Sequence, residues 1–404
     1  MRGKMTFGFA VLLLAGLISP ATRADDKPPL KIGLISDMSG PYADFFGEGS
    51  VLSAQLAIED AGGTVAGRKI ELQTADHQSK PDLGASIARK MIDVDGVDAI
   101  IDVPTSSVAL AVSEVVREKN KTFLATGPFT SALTGVNCSP NTVHWSLDNW
   151  ALAHTLASAE VAAGGKTWFF ITADYAFGHD LERVATESIE KAGGSVLGAV
   201  RHPLDTSDMA SFILQAQASP AEVIGFANAG NDTTRVIKAA ADFKLAGAKK
   251  IAGLTTNVNN INAIGLQQAV GLLAAGPFYW DRDDGTRAWA RRFQARHPRH
   301  NMPNEMQAGV YSALVHYFKI LNQGVASGDG KAVVDAMKAL PTDDVIFGKG
   351  QIRADGRKIH AMYLYETKAP AESREPWDYF KVKTKIAAED AFRPLNEGHC
   401  PLVQ

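Results

Sequence analysis

Cysteine is scarce in this 404-residue chain: there are two, Cys138 and Cys400, and no Cys-x-x-Cys motif. His-Glu-x-x-His, Gly-x-Ser-x-Gly and phosphate-loop sequences are also missing, so no motif-borne catalytic or metal site stands out. The ten histidines are scattered, and the closest pair, His297 and His300, lies in a basic Pro-containing loop rather than on a helical metal face. No metal, no cofactor and no enzymatic reaction are expected. Charge of one sign is lacking too. Lys and Arg number 41 against 44 Asp and Glu, and the net charge of -3 points away from nucleic acid. The basic patches, Arg291-Arg292 and Arg296 to His300, read as solvated helix and loop surface. Beyond the first twenty or so residues, no apolar run approaches the ~18 residues a membrane-spanning helix needs.

That first stretch has a different character. Arg2 and Lys4 supply a positive start, Phe7 to Ile18 an apolar core too short to span, and Thr22-Arg23-Ala24 a small-x-small cleavage site. Residues 1–24 therefore read as a cleavable export signal, with the mature chain beginning at Asp25 in the periplasm. No cysteine follows the cleavage site, which argues against lipid attachment. In an oxidising compartment Cys138 and Cys400 are expected to pair, closing a loop long enough that chain entropy alone suggests roughly 5 kcal/mol.

About 380 mature residues exceed what one core usually organises, so two lobes are expected. Strand-like runs Leu30 to Ile35, Lys69 to Thr74, Val97 to Val103 and Thr122 to Ala125 alternate with amphipathic segments at Gly49 to Ala61, Pro81 to Val94 and Val108 to Lys119. After Trp145 the alternation restarts and runs to Leu254. Repeated βαβ units predict an α/β protein of two doubly wound lobes with parallel strands. From Gly276 onward, three helices and a strand, Ala361 to Glu366, complete lobes already begun. The expected division is 25–146 plus 278–358 for the first lobe and 147–277 plus 359–404 for the second, joined by a multi-strand hinge with a ligand cleft between them.

The opening Ser39-Gly40-Pro41 with Gly47, the helix running into Ile58-Glu-Asp-Ala-Gly-Gly63, and the Gly67-Arg-Lys-Ile-Glu-Leu72 strand carry a resemblance. Asp174-Tyr175-Ala-Phe-Gly178 and the helix with Ala308-Gly-Val-Tyr-Ser-Ala313 extend it over nearly the whole mature chain. The sequence resembles the type I periplasmic binding proteins of ABC importers, in particular the leucine/isoleucine/valine-binding family. That resemblance implies a small-molecule ligand captured between closing lobes, delivery to an inner-membrane ABC permease, and a monomeric shuttle.

Carried over one at a time, the family's binding positions fall on Phe46 (or Phe45) after the Gly-Pro turn and on the polar turn Pro104-Thr105-Ser106-Ser107. The next turn, Thr126-Gly127-Pro128-Phe129, and Tyr175 of the second lobe follow. Hydroxyls and free amide groups at helix starts form an anion site, which supports the first two turns independently. Capping is the competing role for Thr105, Ser106, Ser107 and Thr130.

Two positions depart from the amino-acid binders. An expected aromatic is replaced by Ala227-Asn228-Ala229-Gly230, and the carboxylate that neutralises a ligand ammonium is replaced by Gly253-Leu254-Thr255-Thr256-Asn257. A buried ammonium without a counter-charge costs several kcal/mol. The expected ligand is therefore an acid without an amino group, with Asn228, Thr255 and Thr256 suited to hydroxyls, ethers or amides. Phe45, Phe46, Phe129, Trp145 and Tyr175 favour an aromatic acid of the benzoate or hydroxycinnamate type, with aliphatic carboxylates and amides next. A sensory module using the same cleft and an amino-acid binder are the alternatives.

Overall fold

The computed structural model describes residues 1, 3, 27–245 and 248–403; apart from residues 1 and 3, the expected signal segment lies outside them. The run Leu-Lys-Ile-Gly-Leu-Ile-Ser forms β1 (Leu30–Ser36), buried at all but one position, as a strand covered on both faces requires. It is followed by α1 (Gly47–Asp60), β2 (Thr64–Val65), β3 (Arg68–Asp76), α2 (Pro81–Asp93), β4 (Ala99–Asp102), α3 (Ser106–Glu118), β5 (Thr122–Ala125) and β6 (Thr142–His144). These strands form one sheet in the order β2-β3-β1-β4-β5-β6, parallel except for the short β2 edge. The order reverses between β1 and β4, a switch point that leaves a crevice at the strands' carboxyl ends.

The second half contributes α4 (Asn149–Ala162), β7 (Thr167–Ala173), α5 (Ala176–Lys191), β8 (Ser195–His202), α6 (Ala210–Ala218), β9 (Val223–Ala227), α7 (Gly230–Asp242) and β10 (Lys250–Gly253). Its parallel sheet has the order β10-β9-β7-β8, and its switch point lies between β7 and β9. After α8 (Val258–Ile264), α9 (Leu266–Ala269) and β11 (Leu273–Gly276), the chain returns to the first sheet with α10 (Asp284–Arg296), α11 (Glu305–Asn322) and α12 (Gly330–Ala339). Helix α11 packs along α1, and α12 packs on α11 and β5. The hairpin of β12 (Gly350–Ile352) and β13 (Lys358–His360) leads to β14 (Met362–Thr367), β15 (Phe380–Ile386) and α13 (Ala388–Ala391). Strand β14 lies between β11 and β15 in an antiparallel sheet packed on α4 beside β10.

Three chain segments pass between the two halves: β6 to α4, β11 to α10, and β13 to β14. Several of their polar groups are buried and bonded. Trp145 Nε1 donates to Ser312 Oγ at 2.8 Å, Trp280 Nε1 to the Trp377 carbonyl at 2.7 Å, and Arg357 to the Trp145 carbonyl at 2.9 Å. Trp145, expected near the ligand, is thereby placed at a crossing. Lys358 is fully buried among the Trp145 and Phe347 rings with no hydrogen-bond partner, and burial pushes its ammonium down to about 7. A fourth strap comes from the C-terminus. Arg393 donates to the carbonyls of Ser131 and Thr134 at 3.1 Å, and Cys400 is disulfide-bonded to Cys138 in the loop between β5 and β6.

The basic patches need correction. Arg292, Arg296 and Arg299 are not merely solvated: they reach Asp60 at 2.7 Å, Glu59 at 2.6 Å and Asp44 at 2.7 Å, fastening α10 and its following loop to α1 and the preceding turn. Each pair is half exposed and stabilises little alone.

Candidate ligand cleft

Both switch points open toward the same space. On the first side, Asp37, directly after β1, accepts bonds from the backbone N–H groups of Gly40 (2.7 Å) and Tyr42 (3.1 Å), shaping the Gly-Pro turn that delivers Tyr42, Phe45 and Phe46 to the wall. Pro104, Gly127 and Phe129 follow from the ends of β4 and β5, and Met306 comes from the first turn of α11. The second side supplies Tyr175 and Phe177 after β7, Ala229 and Gly230 after β9, and Thr255 and Asn257 after β10. The cavity these residues enclose in this conformation is about 20 Å³, room for a water rather than a ligand, so a ligand enters only with the walls further apart. Six of these residues are aromatic and none is charged.

The halves touch across this space. The hydroxyls of Tyr42 and Tyr175 are hydrogen-bonded to each other, and burial pushes both up, with Tyr175 adding to the rise at Tyr42 while the bond from Tyr42 opposes it at Tyr175, so both remain protonated at neutral pH. Gly230 takes a left-handed φ of 61°, and a Cβ there would meet the Tyr42 ring at 2.6 Å, so a glycine is needed for the walls to approach this closely. Beside the cleft, Asn259 donates to the Asp44 carbonyl (3.2 Å) and accepts from Asn304 (3.0 Å). At the other end Asp180 of α5 accepts the Ser131 N–H and hydroxyl, both at 2.7 Å.

Helix starts are prominent in the wall. The residues just before α1, α3, α5 and α7 are Phe46, Thr105, Tyr175 and Ala229 respectively, and none of the four caps its helix with its side chain. By contrast α8 and α11, which also begin nearby, carry complete asparagine capping boxes at Asn257 and Asn304. Uncapped first turns leave N–H groups free for a ligand.

Of the residues singled out from sequence, the structure brings Phe46, Gly127, Phe129, Tyr175 and Thr255 onto the wall. The others stand elsewhere, for identifiable reasons. Thr105 is buried with its hydroxyl 3.0 Å from Ser79 Oγ, Ser106 is buried with an unpartnered hydroxyl, and Ser107 is half-buried at the second position of α3. Thr126 donates to the Asp102 carboxylate at 3.2 Å, and the Pro128 carbonyl lies 2.7 Å from His144 Nε2. Asn228, expected to meet the ligand, is corrected: its amide is spent on the Ile171 carbonyl, His202 and Thr233. Thr256 is buried off the wall, its hydroxyl close to Gly253 and without a hydrogen-bond partner. Tyr42, Phe177 and Met306 were not legible as wall residues. For Tyr42 a signal existed, an aromatic directly after Gly40-Pro41, but the turn was represented by Phe45 and Phe46, three and four residues on, which also line the wall.

Comparison with known proteins agrees with this architecture. The family model described as periplasmic binding protein matches residues 29–373. The chain belongs to this family, in its leucine/isoleucine/valine-binding type I branch. A periplasmic binding protein of Burkholderia mallei is 44% identical, with a TM-score of 0.90 over 93% of this chain and 99% of its own. A branched chain amino acid ABC transporter periplasmic ligand-binding protein of Burkholderia xenovorans is 36% identical, with a TM-score of 0.82 over 92% and 99%. An ABC transporter solute-binding protein of Rhodopseudomonas palustris, solved with 4-hydroxybenzoate, shares the fold at 22% identity and a TM-score of 0.80 over 89% and 97%. This periplasmic binding protein is thus a solute-binding component of the ABC-transporter type, a family of binders rather than enzymes, and the family implies a periplasmic location.

Proposed function

We propose that this protein captures a small aromatic carboxylate, of the benzoate or hydroxycinnamate type, and delivers it to an inner-membrane ABC permease. The observation that carries this reading is the wall itself: six aromatic side chains, no charged one, and uncapped helix starts. Rings offer flat apolar contact, and the first turn of α3, with the buried and unpartnered Ser106 hydroxyl, offers N–H and O–H donors for a carboxylate. The Tyr42 and Tyr175 hydroxyls serve a ring substituent. The ligand binds one half of the open form first, and contacts from the other half stabilise closure, a population shift in which no bond is made or broken. In this reading the lobes are 25–146 plus 278–358 and 147–277 plus 359–404, the protein works as a monomer, and residues 1–24 direct its export.

The second reading is a branched-chain amino-acid binder, favoured by the name of the 36% identical Burkholderia xenovorans protein. It requires a partner for the ammonium, and the wall presents no carboxylate. A thermal-shift screen against benzoates, hydroxycinnamates, aliphatic acids, amides and branched-chain amino acids separates the two. A midpoint rise with aromatic acids alone is the expected result. A rise with leucine or valine and none with aromatic acids overturns the proposal.

A further inference from the structure

A buried carboxylate stands behind the Gly127 side of the wall, at Asp102, the last residue of β4. Asp102 and Val103 both adopt left-handed backbone, at φ 81° and 61°, an unfavourable conformation for two consecutive residues with side chains. Strain held at the carboxyl end of a strand beside a switch point is characteristic of functional positions. The bend turns the Asp102 side chain toward Ser36, whose hydroxyl donates at 2.7 Å, and Thr126, whose hydroxyl donates at 3.2 Å. It also brings the carboxylate against Gly127: a Cβ on that glycine would lie 2.9 Å from Asp102 Oδ1. Gly127 and Pro104 are themselves wall residues, and α3 begins four residues after Asp102.

We propose that Asp102 is the proton partner of the cleft, taking up a proton when a carboxylate ligand seats on the wall formed by Gly127, Pro104 and the start of α3. This inference rests on the carboxylate reading above. An anion there faces Asp102 across one glycine, and like charges at such range favour the protonated acid. Burial already pushes Asp102 up to about 6, so the proton is within reach at neutral pH. Two further buried carboxylates adjoin the wall, Glu305 beside Met306 and Asp232 two residues after Gly230, pushed up by burial to about 7 and about 6, and the Asp102→Asn variant separates their protons from that of Asp102; the remaining titratable groups are committed elsewhere. Asp37 serves Gly40, Tyr42 and Ser79, and Asp76 serves Met38, Gln78 and Ser39. His77 is pushed down to about 4, chiefly by burial, and His144 bonds to Pro128. Glu48 of α1 is exposed, and no charged side chain contributes to the Asp102 shift. A group that binds protons more tightly in the complex makes affinity fall as pH rises.

Calorimetry of 4-hydroxybenzoate binding at pH 7, in buffers of differing ionisation enthalpy, reads the proton count directly. The expected result is uptake of roughly half a proton per ligand at pH 7, with Kd rising about threefold per pH unit there, since the slope of log Kd against pH equals the protons taken up. Asp102→Asn should abolish both the uptake and the slope. If that variant does not fold, Thr126→Val, which removes one donor to the carboxylate, should move the midpoint of the uptake to higher pH. Binding without uptake by the unmodified protein, or uptake that persists in Asp102→Asn, overturns the role of Asp102 while leaving the carboxylate reading intact. Failure of every carboxylate in the screen to bind overturns both.

Discussion

Replacing Gly127 with alanine tests how rigid the first wall of the cleft is. The added methyl would stand 2.8 Å from Pro104 Cα and 2.9 Å from both Pro104 N and Asp102 Oδ1, closer than carbon tolerates. None of these neighbours can withdraw cheaply. Pro104 has its φ locked by the ring, and the two residues before it already occupy left-handed backbone. Overpacking of this kind costs about 1–3 kcal/mol, and relief must come from moving the β5 turn and Phe129 into the cleft. Because the walls already enclose only about 20 Å³, displacement of Phe129 by even a few tenths of an ångström obstructs the space a ligand has to open. The expected result is a melting midpoint a few degrees lower and a Kd raised roughly 10- to 100-fold, read by thermal unfolding and calorimetry on the same preparation. A Gly127→Ala protein with its midpoint within a degree and its Kd within twofold of the parent would refute the packing argument. A lower midpoint with unchanged Kd would confine Gly127 to folding and remove it from the binding wall.

Tyr175→Ala removes a ring from the wall and the partner of the Tyr42 hydroxyl, and should weaken ligand binding by roughly 10-fold or more, with the far-ultraviolet spectrum unchanged. Equal affinity in parent and variant would move the site elsewhere. Replacing Cys138 and Cys400 together with serine opens a loop spanning 262 residues and should lower unfolding stability by about 2–4 kcal/mol in urea, while ligand affinity changes little. Lys358→Met removes an amine buried without a hydrogen bond and should raise the midpoint at pH 7. The sign follows from the lowered ammonium: above its unfolded value near 10.4 the parent loses nothing, and its stability falls as pH drops toward about 7. The gap between variant and parent should therefore shrink at pH 10, and a gap independent of pH would show that Lys358 is charged in the fold.

Much of the architecture was legible because parallel strands advertise themselves. Leu30 to Ile35 and Thr122 to Ala125 are short apolar runs between amphipathic helices, and the structure covers both faces of each. Strands lacking that signature were missed. Strand β6 is Thr-Val-His, too short and polar to register, and β15 alternates lysine with apolar residues because it is an open edge, where charge discourages further pairing. The wall was legible only in part for a related reason. Sequence places residues at strand ends, but whether a hydroxyl faces a ligand or a neighbour depends on contacts made by distant segments. Asn228 looks like a ligand donor until His202 and Ile171 are brought beside it, and Asp102 looks like an ordinary strand residue until Gly127 leaves it uncovered.

The C-terminal strap sets a mechanical limit. Three peptide crossings on their own behave like three cords: they let the halves gape and also let them twist. The last residues add a bolt at a fourth corner, where Arg393 grips the loop after β5 and the Cys138–Cys400 bond shuts it covalently. A jaw bolted this way swings about one axis through a shortened arc, so each closing stroke brings Tyr42 and Tyr175 back into register. In the closure proposed above, the Cys138–Cys400 bond restrains every stroke alike.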